Sequence, residues 1–259
     1  MTPKPSMAFP TRFQRSNTRY ALSLFKAVTR GRIKYRIKQL GFGLLAIAPI
    51  LFLAQPALAH HPFGKSLPAT AFEGFLSGIG HPVIGFDHFA FVIAAGLIAA
   101  TKRRGFFIPL AFVAASIFGT LLHLQLVSLP APEVVVSASV LLFGIVLALG
   151  SRLSLQMVSI LGALSGIFHG YAYGEAIVGA EPSPVVAYLT GFATVQIAIA
   201  CLFFAFGRSL VKSSAMQSSE IKPLASAATP LTLRLAGFAL AGAGMVFLSS
   251  AFLYGRSIV

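Results

Sequence analysis

Two short stretches of the chain carry the residue types that do chemistry. The first is His81-Pro82-Val83-Ile84-Gly85-Phe86-Asp87-His88, and the second is Phe168-His169-Gly170-Tyr171-Ala172-Tyr173-Gly174-Glu175. Together they supply imidazole nitrogens and carboxylate oxygens, a donor mixture suited to nickel, cobalt or zinc rather than to calcium or copper(I). On a continuous helix His81 and His88 would share a face but stand about 10 Å apart along the axis, too far to hold one ion. Pro82 lacks an N–H and, with Gly85, should break the helix. The break either brings the two rings together or leaves each as a separate stop. His169 and Glu175 do not share a helical face, so Glu175 is expected just past the helix end, folding back. Each stretch also has a plainer reading: a histidine cap with a hydrogen-bonded Asp–His pair in the first, and a tight packing face at Gly170 and Gly174 with a rim carboxylate in the second.

The elements that must position these residues are membrane helices. Hydrophobic residues make up 56% of the 259 residues and charged residues 10%, against roughly 25% charged in soluble domains. Six apolar segments approach the ~20 residues that cross a bilayer as a helix: about Ala69–Ala100, Gly105–Val127, Val134–Gly150, Leu155–Gly174, Val185–Phe206 and Leu231–Tyr254. The expected fold is all-α, a polytopic membrane helical bundle with a broken first segment. An irregular backbone at that depth is tolerated only where it is buried in protein or lines a wet cavity. An aspartate near a span's centre costs about 2.5–3.5 kcal/mol on the insertion scale, so Asp87 should face a partner, a cavity or an ion path.

The net charge of +14 does not mark a nucleic-acid binder. Ten of the twenty Lys and Arg residues lie between Lys4 and Lys38, and the other ten face six acids. The basic excess belongs to a leader: a charged region, the apolar run Leu40–Leu53, and Ala57-Leu58-Ala59 as a cleavage site. Residues 1–59 therefore read as a removable targeting segment, and 60–259 as the membrane domain beginning His60-His61. The leader fits a bacterial signal, with an organellar transit peptide as the alternative. Cleavage puts the mature N-terminus outside. The internal loops then obey the positive-inside rule: Lys102–Arg104, Arg152 and a long Ser/Ala-rich connector, Arg208–Pro230, fall inside, while Ser128–Glu133 and Glu175–Pro184 lack bases and fall outside. All six histidines and five of the six acids collect toward the outer side, and only Glu220 is inside.

The remaining signals are weaker. His123 reads as a packing residue and the lone Cys201 as an inert one, with no disulfide available within the chain. Gly64-Lys65-Ser66 lacks the first glycine of a phosphate loop, and H-E-x-x-H and G-x-S-x-G are absent.

The two motifs, six spans and a leader ending Ala-x-Ala before a histidine resemble the HupE/UreJ family of nickel and cobalt permeases over essentially the whole mature chain. H-P-V-I-G-F-D-H matches that family's His-x5-Asp-His pattern, and F-H-G-Y-A-Y-G-E its Phe-His-Gly-x-Ala-x-Gly-Glu pattern. The long basic leader departs from it. The resemblance implies metal-path roles for His81, Asp87, His88, His169 and Glu175, with His60 and His61 as an outer capture point. The expected function is a secondary transporter, not an enzyme, that imports Ni2+, or Co2+, across a bacterial inner or plasma membrane. Its partners would be the lipid bilayer and the divalent metal ion, with no nucleic acid and no bound cofactor. The sequence leaves room for a homo-oligomer. Two rivals belong to other classes: an intramembrane metal-dependent hydrolase, and an assembly factor that delivers metal to a nickel enzyme.

Overall fold

The computed structural model describes residues 67–150, 153–219 and 229–254. The leader, its cleavage site, His60, His61, Arg152 and Glu220 lie outside the described residues. Seven helices are described: α1 Ala71–Ile84, α2 Phe86–Ala100, α3 Phe107–Leu124, α4 Pro132–Ala148, α5 Leu155–Gly174, α6 Pro182–Ser219 and α7 Leu231–Tyr254. The protein is an all-α membrane bundle. Helices α3, α5, α6 and α7 are each long and apolar enough to cross a bilayer, and α1 with α2, bent by 77° at their break, meets the same requirement only as a pair, as a broken span or a re-entrant piece. The 17 residues of α4 reach about 25 Å, slightly short of the ~30 Å hydrocarbon core.

Local chemistry sets the helix ends. At the start of α1 the Thr70 hydroxyl accepts from Glu73 N, and the Glu73 carboxylate accepts from Ala69 N at 2.8 Å, the reciprocal capping that a T-x-x-E sequence provides. Glu73 is thus spent on a helix end. Pro132 opens α4 at a position where its missing N–H costs nothing. The Ser154 hydroxyl caps α5 by accepting from Met157 N. Between α1 and α2 the expected break falls at Gly85, whose N–H still donates to the His81 carbonyl.

Three intimate helix pairs, α3 with α5, α4 with α7 and α1 with α6, surround α2. From Ala90 to Ala100 nearly every α2 residue is buried, as expected of a helix apolar on all sides. Close approach of α3 and α5 depends on glycines at every fourth position of α5. A methyl on Gly166, Gly170 or Gly174 would collide with Phe112, Ser116 or His123 respectively. Large apolar side chains such as Phe118, Leu164, Leu202 and Phe238 point outward, where lipid covers them.

Basic side chains cap helix ends on one side of the bundle. Arg234 donates to the Ala148 carbonyl at the end of α4, Arg208 to Ala100 at the end of α2, and Lys102 to Leu153 before α5. The first two satisfy carbonyls that a helix C-terminus leaves unpaired and sit at its negative end. Partial burial lowers the Lys102 ammonium from its ordinary pKa. The opposite side of the bundle holds the α1–α2 break, His123, Glu133, Glu175 and Glu181.

Two expectations are corrected. The stretch from Arg208 was read as a flexible connector, but α6 continues as helix to Ser219. No proline interrupts it before Pro223, and its serines do not compete with the helix. Ser209 and Ser213 donate back to the Phe206 and Ser209 carbonyls within it. Cys201, read as an inert packing residue, is instead exposed on α6.

Candidate functional site

The bend at Gly85 brings His81 and His88 together. Their ring centroids are 5.8 Å apart and their planes are inclined at 67°. With metal–nitrogen bonds of about 2.1 Å, two imidazoles sharing an ion have centroids roughly 4.5–6.4 Å apart, a range that includes this separation. Gly85 is required for this. A methyl there would fall 2.7 Å from His88 Cδ2, so any larger residue would push the ring aside.

His169 approaches from α5, and its Nδ1 lies 2.7 Å from His88 Nδ1. Phe91, at 4.6 Å between centroids, and Phe112, at 5.4 Å, flank its ring. Its Nε2 meets the Ser139 hydroxyl of α4 at 2.9 Å, while that hydroxyl donates its proton to the Val136 carbonyl at 2.6 Å. Counting protons assigns the tautomers. Ser139 has one hydrogen, already given to Val136, so His169 Nε2–H donates to Ser139. His169 Nδ1 is then an acceptor, and His88 Nδ1–H donates to it. In the neutral form of His88 that donation puts the ring's lone pair on Nε2.

His81 follows the same pattern through a different chain. The Tyr188 hydroxyl of α6 lies 2.9 Å from His81 Nδ1 and donates at 2.9 Å to the Tyr173 carbonyl. Its single proton is committed to the carbonyl, so His81 Nδ1–H donates to the phenol oxygen. In its neutral form His81 then also carries its lone pair on Nε2. Both histidines have one nitrogen fixed by a protein acceptor and the other in the state that binds a metal, the outer-shell arrangement usual for metal-ligating histidines. Tyr173 packs against both, tilted on His88 with centroids 4.5 Å apart and edge-on to His81 at 5.0 Å.

The carboxylates stand apart from this ring cluster. Asp87 lies in the first turn of α2, half-buried, and its Oδ1 accepts from His88 N at 2.8 Å. A carboxylate there also suits the positive end of the helix. Glu175 caps the end of α5 and is exposed, and after it the chain folds back so that Ala176 and Ile177 are buried. The structure thus brings His81, His88 and His169 into one cluster, puts Asp87 at its edge, and leaves Glu175 on the rim. Among the described residues, no three His, Cys, Asp or Glu side chains converge as a preformed metal cage. His123 stays outside the cluster. Its Nδ1–H donates to the Tyr171 carbonyl at 2.7 Å and its ring stacks on Tyr171, in keeping with a packing role.

Ser139, Tyr188 and Gln196 went unnoticed in the sequence, and Tyr173 stood in the second motif without a role. Tyr188, Phe192 and Gln196 recur every four residues, which puts them on one face of α6. An amide in the middle of a long apolar run was the available signal, because a polar group in a span seeks an interhelical partner.

A helical membrane protein with a buried His–His–His–Tyr cluster beside a broken span is the class that this fold and site define. The chain belongs to the HupE/UreJ family: the family model described as HupE / UreJ protein matches residues 48–247. It is also 25% identical over 198 residues to Protein HupE of Rhizobium leguminosarum bv. viciae, covering 76% of this chain and 93% of that one. No solved structure gives a significant match.

Proposed function

We propose that this protein is a secondary permease for Ni2+, with Co2+ as the alternative cargo, moving the ion inward from the outer side of a bacterial inner membrane. The observation that carries the reading is the His81–His88 pair, two imidazoles 5.8 Å apart with both Nδ1–H groups engaged by protein acceptors. Nitrogen ligands of this kind suit nickel and cobalt. Family membership supports the same cargo through the resemblance noted above.

Transport proceeds by staged ligand exchange. After leader cleavage, His60 and His61 concentrate the hydrated ion at the outer surface with the rim carboxylate of Glu175. Asp87 offers charge at the edge of the cluster. His81 and His88 replace water ligands through Nε2, while His169 holds His88 in the binding tautomer. Conduction needs sites firm enough to accept the ion and weak enough to release it. A membrane potential of 100 mV is worth about 4.6 kcal/mol for a divalent ion, enough to set the direction without ATP.

The test is uptake of labelled nickel and cobalt into proteoliposomes, normalised per protein molecule. The wild type should accumulate metal. His81→Ala, Asp87→Ala, His88→Ala, His169→Ala and Glu175→Ala should each lose most of the flux at normal abundance, and His123→Ala should lose little. Stoichiometric binding without flux, or wild-type flux in the site variants, would sink the permease reading.

A further inference from the structure

Gln196 is fully buried in α6, and both atoms of its amide lack a hydrogen-bond partner in the structure. So does the buried hydroxyl of Tyr173. These two side chains are close enough to interact with each other, yet no hydrogen bond of good geometry joins them. Leaving three polar atoms without a well-formed hydrogen bond inside a membrane bundle is costly, and a polar visitor such as a hydrated ion is one physical reason for a chain to keep them. The Tyr173 ring is also the one that lies against both His81 and His88.

We infer that the Tyr173 hydroxyl and the Gln196 carboxamide form a second, oxygen-donor stop that receives the divalent cation from the histidine pair. This inference rests on the permease reading. Tyr188 marks the depth of His81 on α6, and Gln196 lies eight residues further along, about 12 Å deeper into the bilayer. Beyond it the buried face of α6 turns apolar, with Ala200, Phe203 and Phe204 packed into the core around α2. The change of donor chemistry favours release. Imidazole nitrogen binds first-row divalent ions firmly, whereas neutral amide and phenol oxygens suit harder ions and hold these less tightly. They serve instead as acceptors for the hydrogens of water ligands that the cation still carries, which are made acidic by its charge. An ion passed from nitrogen to neutral oxygen is moved toward exit, while an unbroken series of histidines would trap it.

Gln196→Met keeps the side-chain volume and removes the amide, and Gln196→Glu keeps the shape and adds a charge. Both are to be compared with wild type by labelled-nickel uptake in proteoliposomes and by equilibrium nickel binding in detergent. For Gln196→Met, the maximal uptake rate per molecule should fall tenfold or more, with KM and nickel affinity within about twofold of wild type. Gln196→Glu should lower both KM and maximal rate, because a carboxylate would hold the ion. Tyr173→Phe should resemble Gln196→Met. Wild-type rates in Gln196→Met while wild-type vesicles transport normally would overturn this inference alone. Equal loss of binding and flux would also overturn it, by making Gln196 a support of the histidine site. Vesicles of wild-type protein that take up no nickel would overturn the permease reading and this inference with it.

Discussion

Tyr188 has one hydroxyl proton and two neighbours within 2.9 Å, the Tyr173 carbonyl and His81 Nδ1. Because the carbonyl can only accept, the proton goes there, and the phenol oxygen becomes the acceptor that fixes His81. Tyr188→Phe removes that acceptor and leaves an imidazole N–H buried without its partner. His81 then gains by shifting its proton to Nε2, where it blocks the metal. Nickel uptake per molecule is expected to fall about tenfold, with a weaker equilibrium nickel affinity. A helix-packing role alone would lower thermal stability and leave affinity unchanged, so paired binding and melting measurements separate the two. The histidines of this site were legible in the sequence because imidazole and carboxylate are expensive in an apolar run. The groups that orient them were not. Serine and tyrosine are common in spans, where a hydroxyl can bond back to its own helix as Thr190 and Thr194 do here. Only the tertiary fold distinguishes Ser139 and Tyr188 from such residues.

The bend between α1 and α2 is an element-scale device whose cause was readable in Pro82 and Gly85. Its consequence, a 5.8 Å approach of His81 and His88, required the structure, because a break in the sequence does not state its angle. Gly85 has φ −72° and ψ 97°, a conformation open to any L-residue, so backbone freedom does not explain the glycine. The space does, since a methyl there would press on His88 Cδ2 at 2.7 Å. Gly85→Ala should therefore fold and reach the membrane at near-normal abundance, yet lose at least fivefold in nickel uptake as the His88 ring moves away from His169. A variant that misfolds, or one that transports normally, would count against this role. Elsewhere the element boundaries were legible where capping residues stand: α5 runs over Leu155–Gly174, the same residues the apolar pattern gave. The far end of α6 was misread, because Lys, Ser, Ala and Met past Phe206 leave the hydrophobic pattern without leaving the helix. Hydropathy reports the membrane, and the helix continues beyond it.

At the scale of the whole molecule, charge and chemistry divide between the two ends of the bundle. Lys102, Arg208 and Arg234 bond carbonyls at one end, and the histidine cluster and most acids lie toward the other. Basic residues remain on the cytoplasmic side during insertion. The histidine end should therefore face outward, where a hydrated cation arrives and a negative-inside potential draws it in. This orientation is the one that the expected cleavage after Ala59 would produce, so sequencing of the purified membrane protein should begin at His60. The direct check is labelling of single cysteines, introduced on a Cys201→Ser background, with an impermeant thiol reagent on intact cells. Cysteines replacing the exposed Glu181 or Ser183 should react, and those replacing Arg103 or Arg104 should react only after the membrane is opened. Cys201→Ser should itself be silent in transport, since the side chain is exposed on the outer face of α6 and away from the cluster. The reverse labelling pattern would put the histidines on the cytoplasmic side. The same site would then face outgoing metal, and the inward direction assigned to the permease would have to be withdrawn even if nickel flux itself were observed.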